Sequence, residues 1–191
     1  IAINGTVAVK PETKVDTDAD EVSVNGRIVK YQRYEYYLFN KPSGCVSATC
    51  DNVHDTVMDY ITDAVHDDLF PVGRLDIDTE GLLLITNDGA LSHELLSPSK
   101  HVAKTYYARI DGEVTRDDII RFKEGIDIGE ERPTKPAELV IKKSGSVSEI
   151  ELTITEGKFH QVKRMFIAIG HPLKSLSRLL IGGVKLDPAL K

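Results

Sequence analysis

The strictest constraint in this chain is the run VSEIELTIT at 147–155, where Ile150, Leu152 and Ile154 recur at every second position. A helix would scatter such residues around its axis, whereas a strand gathers them on one face. The preceding AELVIKK (137–143) alternates in the same way, and Ser144-Gly145 between the two runs predicts an antiparallel hairpin. KTYYARI (104–110) adds a further strand, LLLIT (82–86) a buried one, and LLIGGVKL (179–186) closes the sheet. Upstream, YQRYEYYLFN enters as a strand that Pro42 and Gly44 end. Helices are fewer. TVMDYI (56–61) is short, and LSHELL follows a turn at Asn87-Asp88-Gly89. TRDDIIRFKEG runs from a Thr115 cap to a Gly125 stop, and FHQVKRMFIAIG (159–170) is the last. Strands that outnumber helices and join through hairpins predict an α+β class with mostly antiparallel sheets.

Residues 1–30 form a small strand-rich piece (IAING, TVAVKP, EVSVNG) with Asn-Gly turns and too little apolar content for its own core. From a start at Ile1 rather than Met, a fragment or a processed chain is expected, and no signal peptide opens the sequence. The apolar runs are too short to cross a bilayer, and a chain of 191 residues with 41 % hydrophobic content can bury a core without disulfides or metals. Cys45 and Cys50 lack a second pair or a His cluster, so they read as free thiols of a reducing cytoplasm rather than a zinc site. The net charge of −6 points away from nucleic acid, but its distribution does not. Residues 31–97 hold three basic and twelve acidic groups, while 156–191 hold seven and two. The end of the chain is basic and suits a phosphate backbone.

Chemistry concentrates in GRLDIDTEG (73–81). A calcium loop starting at Asp76 fails at its twelfth position, which is Asn87 and not Glu. A glycosidase pair is not favoured either, because Asp76 and Asp78 fall on one face if extended. Two readings stay open: one Asp acts as a nucleophile held by neighbouring cations, or both simply cap and solvate a turn. The helix near 159–169 bears on the choice. Phe159, Val162, Met165, Phe166 and Ile169 form an apolar stripe, and Lys163 falls at its edge. Such a lysine either snorkels to water or meets a carboxylate such as Asp76, which a nearby cation keeps charged. Lys158, His160, Arg164, Lys174 and Arg178 then make either a solvated face or a phosphate-binding patch.

GRLDIDTEGLLLITNDG (73–89), KTYYARIDGEV (104–114) and EGKFHQVKRMF (156–166) closely resemble three successive motifs of the ribosomal RNA pseudouridine synthases, from about Tyr36 to Asp187. KFHQVKRMF and IGGVKLD are most similar to the small-subunit branch of that family. The resemblance implies two mostly antiparallel sheets flanking a cleft in residues 31–191. Residues 1–30 resemble the second half of a small RNA-binding module. The implied reaction isomerises a uridine to pseudouridine without cofactor or metal. Asp76 matches the nucleophile, Lys163 its basic partner, Tyr106 the tyrosine that stacks on uracil, and Arg74 the neighbouring arginine. RNA contacts are expected at His160, Gln161, Arg164, Lys158, Lys41 and Lys104, with a plain turn lysine as the open alternative at Lys41. Asp78 is expected to orient the loop. The implied partner is small-subunit ribosomal RNA within an assembly particle, with no membrane contact, and the protein is expected to be a cytoplasmic monomer. The alternatives are the same reaction on large-subunit ribosomal RNA, a non-catalytic RNA-binding protein on this scaffold, and a hydrolase that would release free uracil.

Overall fold

The computed structural model describes residues 1–29 and 31–190. Contacts divide the chain into two compact units, Ile1–Tyr34 and the remainder from Glu35 onward. The boundary expected after Lys30 falls on a residue outside the described ones.

The first unit is a four-stranded antiparallel sheet in the order β2-β1-β3-β4: β1 (Ala2–Ile3), β2 (Thr6–Val7), β3 (Val22–Val24) and β4 (Arg27–Val29). Both hairpins turn on the Asn-Gly pairs, with Asn4 at φ 50° and Asn25 at φ 51°. No described residue of this unit is buried. Polar bonds tie it instead: Asn4 donates to the Asp20 carboxylate at 2.8 Å and accepts from the Glu21 N–H at 2.9 Å.

The second unit is built on one eight-stranded sheet. Its strands are β5 (Tyr36–Lys41), β6 (Phe70–Pro71), β7 (Glu80–Thr86), β8 (Lys104–Asp111), β9 (Glu138–Lys143), β10 (Val147–Ile154), β11 (Leu173–Ile181) and β12 (Val184–Lys185). The main order is β5-β7-β11-β8-β10-β9, with β6 paired to β7 and β12 to β11. All pairings are antiparallel except β7 with β11, a two-residue parallel seam at Glu80–Ser177 and Gly81–Arg178. The two antiparallel sheets expected from sequence are thus two halves of one sheet joined at that seam. Gly81 makes the join possible: at φ 98°, an added Cβ would lie 2.3 Å from the Arg178 carbonyl oxygen.

Three helices complete the unit: α1 (Gly89–Leu96), α2 (Arg116–Glu124) and α3 (Gln161–Ala168). A 3-10 turn at Val57–Tyr60 takes the place of the predicted helix at 56–61. Helix α2 begins in a capping box between Thr115 and Asp118 and ends at Gly125, as its sequence predicts. On β10 the alternation holds, with Ser148, Ile150, Leu152 and Ile154 buried. The middle of β7, Leu82 to Ile85, is a continuous apolar run because it faces two cores. Leu83 and Ile85 join the main cluster with Phe122, Met165 and Phe166, while Leu82 and Leu84 pack with Val72 and Ile181. The first half of β11 was not legible as a strand. Its KSLSR pattern is too polar for a central strand, yet Leu176 and Arg178 are buried there.

Candidate active site

Asp76 lies in the loop that runs from β6 to β7. Between them, Leu75 is anchored in the main core and its backbone is held twice by Ser47. The Ser47 hydroxyl donates to the Leu75 carbonyl and accepts from its N–H, both at 3.0 Å. A turn follows, closed by Thr79 N–H donating to the Asp76 carbonyl at 3.0 Å. Gly44 N–H donates to the Ile77 carbonyl at 2.7 Å. The Lys41 ammonium donates to the carbonyls of Thr79 (2.9 Å), Pro42 (3.0 Å) and Ile77 (3.2 Å). This turn replaces the extended geometry in which both carboxylates would share a strand face. Asp76 is half-buried, and Asp78 is exposed.

The cation that meets Asp76 comes from α3. Lys163 Nζ stands 2.8 Å from Asp76 Oδ2, and it also donates to Asp78 Oδ1. Burial alone would lower the pKa of Lys163, but its hydrogen bonds to Asp76 and Asp78 outweigh that and raise it. The Lys163 hydrogen bond in turn lowers the pKa of Asp78 against the opposing effect of burial. A stripe-edge lysine on α3 thus spans two carboxylates of one loop.

On the other side of Asp76 Oδ1, His160 Nε2 approaches to 3.3 Å. His160 precedes α3 in the left-handed conformation, at φ 47° and ψ 34°. That corner removes Phe159 from the helix, so the predicted apolar stripe is corrected at its first member. Val162, Met165, Phe166 and Ile169 are buried, but Phe159 is 76 % exposed and stacks on the His160 ring.

The other expected site residues divide by depth. Arg74 is exposed and forms no ion pair among the described residues. Tyr106 is buried on β8, in register with Arg178 of β11, which is itself in register with Gly81, five residues beyond Asp76. Lys158 and Arg164 both reach Glu130, at 3.1 and 2.7 Å, and Arg164 also donates to the carbonyls of Phe159 and Ile128. Glu130 has its pKa lowered chiefly by the Arg164 hydrogen bond.

Three of the residues expected to contact RNA have side chains that are buried and bonded within the protein. Lys41 is fully buried and spends its donors on loop carbonyls; burial pushes its pKa down, opposed first by Cys45 and then by Asp78, Asp76 and Glu80. Lys104 is buried, donates to the Val102 carbonyl at 3.3 Å, and has its pKa lowered by burial and then by Arg178. Gln161 is buried too, accepting from Lys158 N–H at 2.9 Å and donating to Glu156 at 2.8 Å. Their residue types carry charge or polarity, and nothing in their spacing reveals depth.

Sequence reasoning passed over Ser47 and Glu130, and its placement of Arg178 in a basic surface group is corrected, because the fold buries that side chain. Arg178 is buried on β11 and donates from Nε to the Leu82 carbonyl at 2.7 Å. The one available signal was Gly81 directly after the acidic loop, a glycine where a strand must approach closely. Both cysteines are free, Cys45 buried and Cys50 exposed. Among the described residues, no group of three His, Cys, Asp or Glu side chains could hold a metal ion. No helix there is long and apolar enough to cross a membrane.

A family model described as RNA pseudouridylate synthase matches residues 35–168, which takes in Asp76, Tyr106 and Lys163. The uncharacterized RNA pseudouridine synthase YtzG of Bacillus subtilis is 47 % identical over 192 residues, covering 100 % of this chain and 80 % of that protein. Ribosomal small subunit pseudouridine synthase A of Escherichia coli K12 is 36 % identical over 191 residues, covering 100 % and 81 %. A crystal structure of a pseudouridylate synthase superposes with a TM-score of 0.78 at 36 % identity, covering 100 % of this chain and 81 % of that one. A more distant structure, an H/ACA RNP bound to a substrate RNA containing 2'-deoxyuridine, shares the fold alone, with a TM-score of 0.58 at 22 % identity over 82 % of this chain and 50 % of that one. With this coverage of family model and relatives, the chain belongs to the RNA pseudouridylate synthases, enzymes that isomerise uridine in RNA to pseudouridine.

Proposed function

We propose that this enzyme converts a uridine of small-subunit ribosomal RNA to pseudouridine with Asp76 as its nucleophile. The reaction breaks the bond from ribose C1' to uracil N1, turns the base over, and joins C1' to C5. The proton lost from C5 balances the one gained at N1. The observation that carries this reading is the contact of 2.8 Å between Asp76 and Lys163, on two segments that both fall within the family match. A carboxylate clamped between an ammonium and an imidazole is oriented for attack, at the sugar or at the ring.

The target base must leave its stack to reach Asp76, at a cost of roughly a few kcal/mol. In this reading the Tyr106 ring packs against the flipped uracil, and Arg74, free at the surface, holds the RNA beside it. Lys158, His160 and Arg164 form the cationic rim that meets phosphates. The first unit contributes further RNA contacts as part of a small binding module. The enzyme works as a cytoplasmic monomer on an assembling small subunit. The relative named for the small ribosomal subunit, at 36 % identity over the whole chain, supports the choice of RNA.

Mapping pseudouridines in both ribosomal RNAs, from cells with and without the protein, tests this. One small-subunit site is expected to disappear, and Asp76→Asn is expected not to restore it. A lost large-subunit site would overturn the choice of RNA, and restoration by Asp76→Asn would overturn the nucleophile.

A further inference from the structure

The chain leaves one large aromatic ring in water at the edge of the Asp76 site. Phe159 is 76 % exposed, and one face of its ring lies on the His160 imidazole with centroids 3.8 Å apart and planes 19° from parallel. Its backbone is tied down. The Phe159 carbonyl accepts from Arg164 at 3.1 Å, and the same guanidinium is fixed by Glu130 and the Ile128 carbonyl. The left-handed backbone at His160 turns the ring out of the helix stripe that would have buried it. Exposing such a ring forgoes roughly 1.5–3 kcal/mol of burial free energy, so the fold keeps it outside at a cost.

We propose that Phe159 is a stacking platform for an unstacked RNA base next to the reacting uridine, a role that rests on the function proposed above. The surroundings select the occupant. His160 stacks on this single apolar ring, Arg164 bonds its carbonyl, and Lys158 and Lys163 are close in the chain, a basic setting that suits a planar base on a phosphate backbone better than an apolar protein surface. The geometry also sets the register. His160 meets Asp76 at 3.3 Å through Nε2 at its ring edge and carries Phe159 on its face, so a base on the other face of Phe159 is separated from the His160 imidazole by the Phe159 ring. That position belongs to a neighbouring nucleotide rather than to the target. The platform therefore holds a second base beside the His160–Asp76 contact, where its stacking offsets part of what the flipped uridine gives up.

The test compares wild type with Phe159→Ala, Phe159→Leu and Phe159→Trp, using a small-subunit ribosomal RNA transcript. Binding and single-turnover pseudouridine formation are both measured. Phe159→Ala and Phe159→Leu are expected to weaken binding by about 5-fold to 100-fold, because both lack a π-face, while thermal unfolding stays unchanged. Phe159→Trp is expected to bind like wild type. The chain has no tryptophan, so this variant carries a single indole whose emission should be quenched when RNA binds. Wild-type binding by Phe159→Ala, full rescue by Phe159→Leu, or an indole unchanged at saturating RNA would each overturn the proposal. Quenching without any pseudouridine formed by wild type would support the platform while overturning free small-subunit ribosomal RNA as the substrate.

Discussion

The loop at 73–80 and the corner at 156–160 meet at Asp76, yet they are held by opposite means. The loop is anchored from beneath, by the buried Lys41 ammonium and the Ser47 hydroxyl acting on backbone carbonyls and an N–H. The corner is anchored at its outer side by the partly exposed pairs of Glu130 with Arg164 and Lys158, and internally by Gln161 with Glu156. Buried hydrogen bonds from a charged group have no water to fall back on, so losing one exposes the full desolvation cost of its partners. Surface pairs exchange with water and are screened by salt. The difference teaches that Asp76 belongs to the rigidly held wall, while the corner at 156–160 is tied by pairs that can exchange with water.

The largest effect expected from breaking this asymmetry is at Lys41. Lys41→Met leaves three loop carbonyls without their donor, and should lower stability by about 2–4 kcal/mol. Activity should fall further than stability explains, since the turn carrying Asp76 loses its support. Denaturant unfolding beside single-turnover rates checks this. A variant with wild-type turnover would show that the loop is held elsewhere. Ser47→Ala removes one hydroxyl from two backbone bonds and should cost less, about 1–2 kcal/mol by the same measurement.

The smallest effect is that of the Lys163–Asp78 pair on stability, under about 1 kcal/mol because Asp78 is exposed. Its pH dependence has a definite sign. The folded pKa of Asp78 is below its ordinary 3.8, so its contribution is complete above that value and lost as pH falls through the lower folded one. The folded pKa of Lys163 is above 10.5, so its contribution is complete below 10.5 and lost only as pH rises through the higher folded one. The stability difference between wild type and Asp78→Asn should therefore be flat from about pH 5 to about pH 9. A difference that shrinks within that window would contradict the pairing.

Local pattern made much of the scaffold legible. The alternation of Ile150, Leu152 and Ile154 fixes β10, the Thr115 cap fixes the start of α2, and the Asn-Gly pairs fix two hairpins. Lys163 was legible because helical geometry places it at the boundary of the α3 stripe, where a carboxylate can meet it. What escaped is set by tertiary depth. Lys41, Lys104 and Gln161 carry surface-type side chains that the fold buries, and no periodicity distinguishes them from solvated ones. Phe159 failed the opposite way, since a stripe count assumes helix up to its first residue and cannot anticipate the left-handed turn at His160. The seam between β7 and β11 joins segments far apart in sequence, and only Gly81 hints at it.

The most direct test follows the hydrogen at uracil C5, which the isomerisation must release. Purified wild-type protein and Asp76→Asn are each incubated with small-subunit ribosomal RNA carrying tritium at C5 of uridine. Wild type should release tritium to water with no free uracil, and Asp76→Asn should release none. Equal release by Asp76→Asn, or the appearance of free uracil, would contradict an isomerase that uses Asp76.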